Sequence, residues 1–136
     1  MGFKKMEDDG VLPGPRAVLV SGFDEDSHAI LDKFITENGI SDFSVIPCRE
    51  DSVNKLIEEV LGNQSEAKIV TPEKLPPVML WSGITHQELD QILGNFKTCG
   101  LVRPIFATTT ESNLKFSVKE LLQHLLKEQQ QMKKSK

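Results

Sequence analysis

Two Ser-Gly pairs stand where an apolar run gives way to a helix-patterned segment. Ser21–Gly22 follows Ala17-Val18-Leu19-Val20, and Ser82–Gly83 follows Val78-Met79-Leu80-Trp81. A strand that ends in Gly and opens a helix can aim free backbone amides at an anion, helped by the helix dipole. Each turn here has one Gly, not the several that let a backbone wrap a pyrophosphate. Asp24, Glu25 and Asp26 also open the first helix with charge that repels phosphate. These are therefore tight strand-to-helix turns, with Ser21, Gly22, Ser82 and Gly83 as candidate polar contacts. Neither serine sits in the G-x-S-x-G context of a nucleophile elbow.

Three histidines have a carboxylate four residues on: His28 with Asp32, His86 with Asp90, His124 with Glu128. One such pair is an edge of a metal site, but no further His or Cys completes a coordination shell, so no metal is expected. Surface pairing along a helix explains the spacing. Cys48 ends an apolar run beside Arg49, just before a helical pattern, the setting that lowers a thiol pKa. A redox-sensitive thiol is weighed there against a small residue packed at a strand end. The segment 108–115, with Thr108, Thr109, Thr110 and Asn113, is rich in hydrogen-bonding side chains. It follows a strand where α/β sheets gather ligand loops. Trp81 lies near the same strand end and would mark a contact surface if partly exposed.

The elements that position these residues follow from periodicity. Residues 17–20 are uniformly apolar, as in a strand covered on both faces. Ile30, Leu31, Phe34 and Ile35 share one face of a helix that Gly39 ends. A strand over about Phe43 to Pro47 precedes a helix capped by Asp51 or Ser52, with Val53, Leu56, Ile57, Val60 and Leu61 inward. Ala67 to Val70 reads as a short edge strand in a linker over 62–76, limited by Pro72, Pro76 and Pro77. The second copy then begins with the apolar run from Pro77 that ends in Ser82–Gly83, and Thr85 and Glu88 form a capping box before Leu89, Ile92, Leu93 and Phe96. A strand over about Leu101 to Ala107 follows. Ser117 and Glu120 then open a last helix carrying Val118, Leu121, Leu122, Leu125 and Leu126. From Glu128 on, the chain is expected to fray.

The plan is a doubled βαβα unit. Ser21–Gly22 falls on Ser82–Gly83 at an offset of 61, and Gly39 on Gly100 likewise. Ile30, Leu31 and Phe34 fall on Ile92, Leu93 and Phe96 at 62; Val53, Leu56 and Ile57 fall on Val118, Leu121 and Leu122 at 65. The larger last offset implies that 108–115 lengthens the second copy. The expected fold is α/β, with duplicated βαβα units around one four- or five-stranded, largely parallel or mixed sheet. A ferredoxin-like α+β arrangement is the alternative. Residues 1–14 read as a mobile leader, 15–128 as one domain with copies 15–61 and 77–128, and 129–136 as a basic tail.

Composition bounds the function classes. With 136 residues and 38% apolar content, the chain builds a hydrophobic core without staples. A net charge of −4 disfavours general polyanion binding, leaving only a weak contact through Lys133, Lys134 and Lys136. Cys48 and Cys99 lack a disulfide or metal spacing and suit a reducing intracellular compartment. Residues 1–13 lack the apolar core of a secretory signal, and no run is long enough to span a bilayer.

The string Met79-Leu80-Trp81-Ser82-Gly83, Glu88-Leu89-Asp90 with Ile92-Leu93, Gly100-Leu101, Pro104, Ala107-Thr108-Thr109 with Asn113, and Glu120-Leu121-Leu122 resembles the domain-of-unknown-function family numbered 3783. The resemblance covers the second copy, the first looking like a diverged version. It implies no established activity, cofactor or catalytic set. The chain resembles a plant member, which implies cytoplasm, or chloroplast stroma if a precursor carried a transit peptide. The expected function is a non-catalytic binding or assembly module that presents Trp81, 108–115 and the last helix to a protein partner. The alternative is a small-molecule sensor or minor enzyme, with Ser21, Ser82 and Thr108 lining a strand-end crevice.

Overall fold

The computed structural model describes residues 10–62 and 65–134. Four strands, β1 (Ala17–Ser21), β2 (Ser44–Pro47), β3 (Val78–Ser82) and β4 (Ile105–Thr108), form one mixed sheet in the order β2-β1-β3-β4. β1 runs parallel to β2, β3 runs parallel to β4, and the two central strands are antiparallel. Helices α1 (Glu25–Glu37) and α3 (His86–Asn95) cover one face, while α2 (Ile57–Gly62) and α4 (Val118–Lys134) cover the other. This is an α/β fold, and its mixed four-stranded sheet is one of the arrangements expected from sequence.

Both central strands are buried along their full length, and successive side chains point to opposite faces. Val18, Val20, Met79 and Trp81 meet Leu31, Phe34, Ile35, Ile92 and Phe96 on one side. Ala17, Leu19, Val78 and Leu80 meet Ile57, Val60, Leu61, Val118, Leu121 and Leu122 on the other. The uniformly apolar runs are thus the strands with helices on both faces.

A single offset of 61 relates the two halves. The β1–β2 register begins at Ala17↔Ser44 and the β3–β4 register at Val78↔Ile105. Leu19 pairs with its own counterpart Leu80, so the central pairing has a local two-fold there. Leu56 pairs with its counterpart Ser117 in an isolated bridge. The Ile57 amide donates to Phe116 O at 2.9 Å, and the Val118 amide donates to Lys55 O at 3.0 Å. The Gly turns obey the same rule. A Cβ on Gly22 (φ +78°) would lie 2.5 Å from Pro76 O, and one on Gly83 (φ +62°) would lie 2.5 Å from Pro15 O. Each half's turn therefore packs on the backbone that leads into the other half's strand.

This geometry corrects the offsets of 62 and 65. The buried helix residues Leu31 and Ile35 correspond to Ile92 and Phe96, whereas Ile30 is 43% exposed. Helix α2 begins at Ile57 and not near Val53, because the backbone of 53–57 is recruited into bonds with 116–119. With Ile57 matched to Val118, the strand-to-helix connections 48–56 and 109–117 have equal length. The stretch 108–115 is not an extension.

Three other boundaries differ from expectation. Residues 101–104 are irregular and β4 starts at Ile105. The suggested edge strand at 67–70 is reduced to one bridge, Ile69 with Arg49. Helix α4 continues to Lys134 instead of fraying at Glu128, consistent with the helix propensity of its Lys, Glu, Gln and Met. The expected leader divides. Residues 1–9 lie outside the described residues, while 10–14 are tied down: the Leu12 amide donates to Ile84 O at 2.9 Å and Val11 bridges Thr85. Both expected capping boxes are present, Thr85 with Glu88 and Ser117 with Glu120.

Candidate functional site

The residues singled out by type are bound to the scaffold itself. Ser21 Oγ donates to Pro76 O at 2.7 Å, and Ser82 Oγ donates to Pro13 O at 3.2 Å. Because β1 and β3 are antiparallel, with Ser21 opposite Val78 and Ser82 opposite Ala17, the two Ser-Gly turns lie at opposite ends of the central pair. They do not share a crevice. The void beside Ser21 and Cys48 measures about 10 Å³, room for one water at most.

Thr109 is 1% exposed and its hydroxyl donates to Pro13 O at 2.6 Å. Thr110 and Asn113 satisfy each other: the Thr110 amide donates to Asn113 Oδ1 and the Asn113 amide donates to Thr110 Oγ1. Asn113 Nδ2 also donates to Thr108 O at 3.1 Å. This is a self-satisfied turn, as short polar side chains make. Trp81 is fully buried, stacked on Phe43 with ring centroids 5.8 Å apart. It cannot be a contact surface. Its indole N–H is a buried donor with no partner among the described residues.

Cys48 is buried, and desolvation pushes its thiol up to about 11. The activating setting inferred from Arg49 and a following helix does not arise, because the side chain turns into the core and the helix starts only at Ile57. Among the described residues no group of three or more His, Cys, Asp and Glu can hold a metal ion, and no ion pair joins His28, His86 or His124 to its i+4 carboxylate. Lys136 lies outside the described residues, as do the side chains of Lys133 and Lys134.

A different feature emerges at the edge of the sheet. A groove of about 830 Å³ runs along β2, between a wall from α1 (His28, Ala29, Asp32) and a wall from α2 and the preceding turn (Asp51, Lys55, Glu59). Its floor is the strand edge, residues 43–47. Ser44 donates its amide to Arg16 O, just ahead of β1, at 3.2 Å, and Cys48 donates its amide to Val20 O on β1 at 2.8 Å. Alternation along a parallel pair then turns the backbone of Phe43, Val45 and Pro47 outward, toward the groove. Pro47 offers only a carbonyl there.

Three of these wall positions are apolar on the other edge, while the counterparts of Asp51 and Glu59 are the polar Ser112 and Glu120. His28, Asp32 and Lys55 correspond to Leu89, Leu93 and Phe116, and Val45 corresponds to Phe106. Phe106 packs edge-on against Phe96 at 5.0 Å, and Phe116 stacks on His124 at 5.4 Å. Helix α4 also runs 17 residues where α2 runs 6. His28, Asp32 and Lys55 thus line a trough at one edge where the other edge carries larger apolar side chains.

The electrostatics of the trough are mixed. Burial, the largest influence, lowers the His28 pKa, reinforced by Arg49 and opposed by Asp24 and Glu25, so the imidazole is neutral at pH 7. Ser65 Oγ donates to Asp51 Oδ2 at 2.7 Å and Lys55 Nζ donates to it at 3.2 Å, and together they hold that carboxyl below its ordinary range. Arg49 uses Nη1 on Ala67 O at 2.7 Å. Sequence reading missed Val45, Arg49 and Lys55 as site residues. A constant offset of 61 would have exposed the signal at Lys55, whose match is Phe116, but not at Val45 or Arg49, whose matches are Phe106 and Thr110.

Comparison with known proteins addresses the second half alone. Residues 77–132 match the family model described as Domain of unknown function (DUF3783). The match supports the resemblance seen in Met79 to Leu122, and it spans β3 through most of α4. Neither a curated protein nor a solved structure matches this chain. No helix among the described residues is long and apolar enough to cross a membrane.

Proposed function

We propose that this chain is a non-catalytic binding module whose protein partner docks along β2, and not at Trp81 or 108–115. The observation that carries the reading is the 830 Å³ trough whose floor is an open strand edge and whose walls carry His28, Asp32 and Lys55 where the other half has Leu89, Leu93 and Phe116. Main-chain pairing at such an edge supplies affinity and the walls supply selectivity. The test is the triple variant His28→Leu, Asp32→Leu and Lys55→Phe, which installs the counterparts found at the other edge. It should keep its melting temperature and lose the proteins that the parent retains in pull-downs; an unchanged partner set would contradict the proposal.

A small polar molecule is the second reading, favoured by a volume within the range of ligand pockets. Thermal-shift screening against metabolites separates it from the first, since a ligand selective for the native state raises the melting temperature. We further propose that the halves are copies of one βαβα unit, a reading supported by the constant offset and by a family match confined to one half. A reducing intracellular compartment accords with Cys48 and Cys99 being free thiols. The plant-like character rests on the sequence resemblance alone.

A further inference from the structure

The trough is not equivalent along its length, and the difference specifies a guest. Phe43 and Val45 present both an N–H and a C=O to it, whereas Pro47 presents no donor. A guest strand laid parallel to β2 therefore pairs from Phe43 to Val45 and loses its donor at Pro47, where regular pairing stops. At that end stands Arg49. Its guanidinium is anchored through Nη1 to Ala67 O at 2.7 Å, leaving Nε and Nη2 without a partner among the described residues. The counterpart of Arg49 at the other edge is Thr110, which is already bound to Asn113. Of the acids that follow it in sequence, Glu50 forms no ion pair with it among the described residues, and Asp51 is occupied by Ser65 and Lys55. Farther back on the α1 wall, exposed Asp32 gives an anionic position.

We infer that the trough takes the C-terminal end of an extended peptide, parallel to β2, with its terminal carboxylate on Arg49 and a basic side chain upstream facing Asp32. This inference rests on the proposed docking at β2. A fixed guanidinium fork is the group that binds a carboxylate through two parallel N–H donors, and a chain end satisfies the place where pairing runs out.

The experiment uses the full chain labelled with ¹⁵N and two pools of acetylated hexapeptides. Each pool has Lys three residues from the end and is otherwise random; one ends in a free carboxylate and the other in an amide. The free-acid pool should move the Val45 amide and the Arg49 Nε–H resonances, leaving the Phe106 amide unmoved. The amide pool should bind at least about tenfold more weakly, the loss expected for a bidentate charge-assisted contact. Equal responses at Val45 to both pools would overturn the carboxylate assignment and leave docking at β2 intact. No response at Val45 to either pool would overturn both. Arg49→Gln, compared at matched chemical shifts elsewhere, should bring the free-acid response down to the amide level; an undiminished response would also overturn the assignment.

Discussion

Replacing Gly83 with alanine tests the crossed packing of the two halves. Gly83 has φ +62°, and a Cβ there would lie 2.5 Å from Pro15 O, 2.6 Å from Pro15 C and 2.7 Å from Arg16 N. Two costs add. The left-handed backbone costs an L-residue about 1–2 kcal/mol. The backbone contact forces β3 and the 15–16 segment apart, an overpacking cost of about 1–3 kcal/mol. Reduced freedom of the unfolded chain returns up to about 1 kcal/mol, so the net loss is about 1–5 kcal/mol, centred near 3. Gly100 is the internal control. It has φ +81° but nothing within 4 Å of a Cβ, so Gly100→Ala carries only the backbone cost, about 1 kcal/mol after the same correction. Urea unfolding followed by circular dichroism reads both variants on one scale. If Gly83→Ala falls within about 0.5 kcal/mol of Gly100→Ala, the close-approach reasoning is refuted. Gly22→Ala should behave as Gly83→Ala does, because its Cβ meets Pro76 and Pro77.

Other substitutions and reagents probe the assignments made above. Trp81→Ala should cost about 3–5 kcal/mol in urea, the loss for emptying a fully buried aromatic site; a loss under 1 kcal/mol would mean the ring is not in the core. In the folded protein Cys99, which is partly exposed, should react with iodoacetamide well before Cys48, whose buried thiol is pushed up to about 11. Mass spectrometry showing Cys48 modified first would contradict its burial. Glu88 is held below the ordinary carboxylate range chiefly by hydrogen bonds from Arg16, with the Thr85 amide adding to it. A depressed folded pKa contributes stability above the unfolded value of about 4.3, lost as pH falls through the folded value. Glu88→Gln should therefore cost about 1 kcal/mol at pH 7, a figure kept small because the pair is partly exposed, and progressively less as pH falls below the ordinary carboxylate range; a pH-independent difference would contradict the ion pair.

The fold was legible wherever apolar spacing was strict. The run 17–20 announced a strand covered on both faces, its near copy at 78–81 announced a matching one, and the Thr85–Glu88 and Ser117–Glu120 caps placed two helix starts. The first half's second helix was misplaced because Val53 and Leu56 extend its apolar pattern backward. The backbone there instead pairs with 116–119, a long-range competition that local periodicity does not reveal. That error generated the offset of 65, and with it the idea of an extension at 108–115. The binding edge was illegible for a related reason. Trp81, Ser82 and the threonines attract notice by type, yet their polar groups serve the scaffold. Val45 matters only through the direction of its backbone, and His28, Asp32 and Lys55 only by contrast with Leu89, Leu93 and Phe116.

Site-specific photocrosslinking from the two edges of the sheet tests the account most directly. A photoreactive residue at Ser44 lies exposed in the trough beside β2, and one at Val102, 72% exposed, lies just ahead of β4. The account predicts that, in cell extract, Ser44 forms discrete adducts with a protein that unlabelled chain competes away, while Val102 forms none. Adducts of equal yield at both positions, or at Val102 alone, would contradict it.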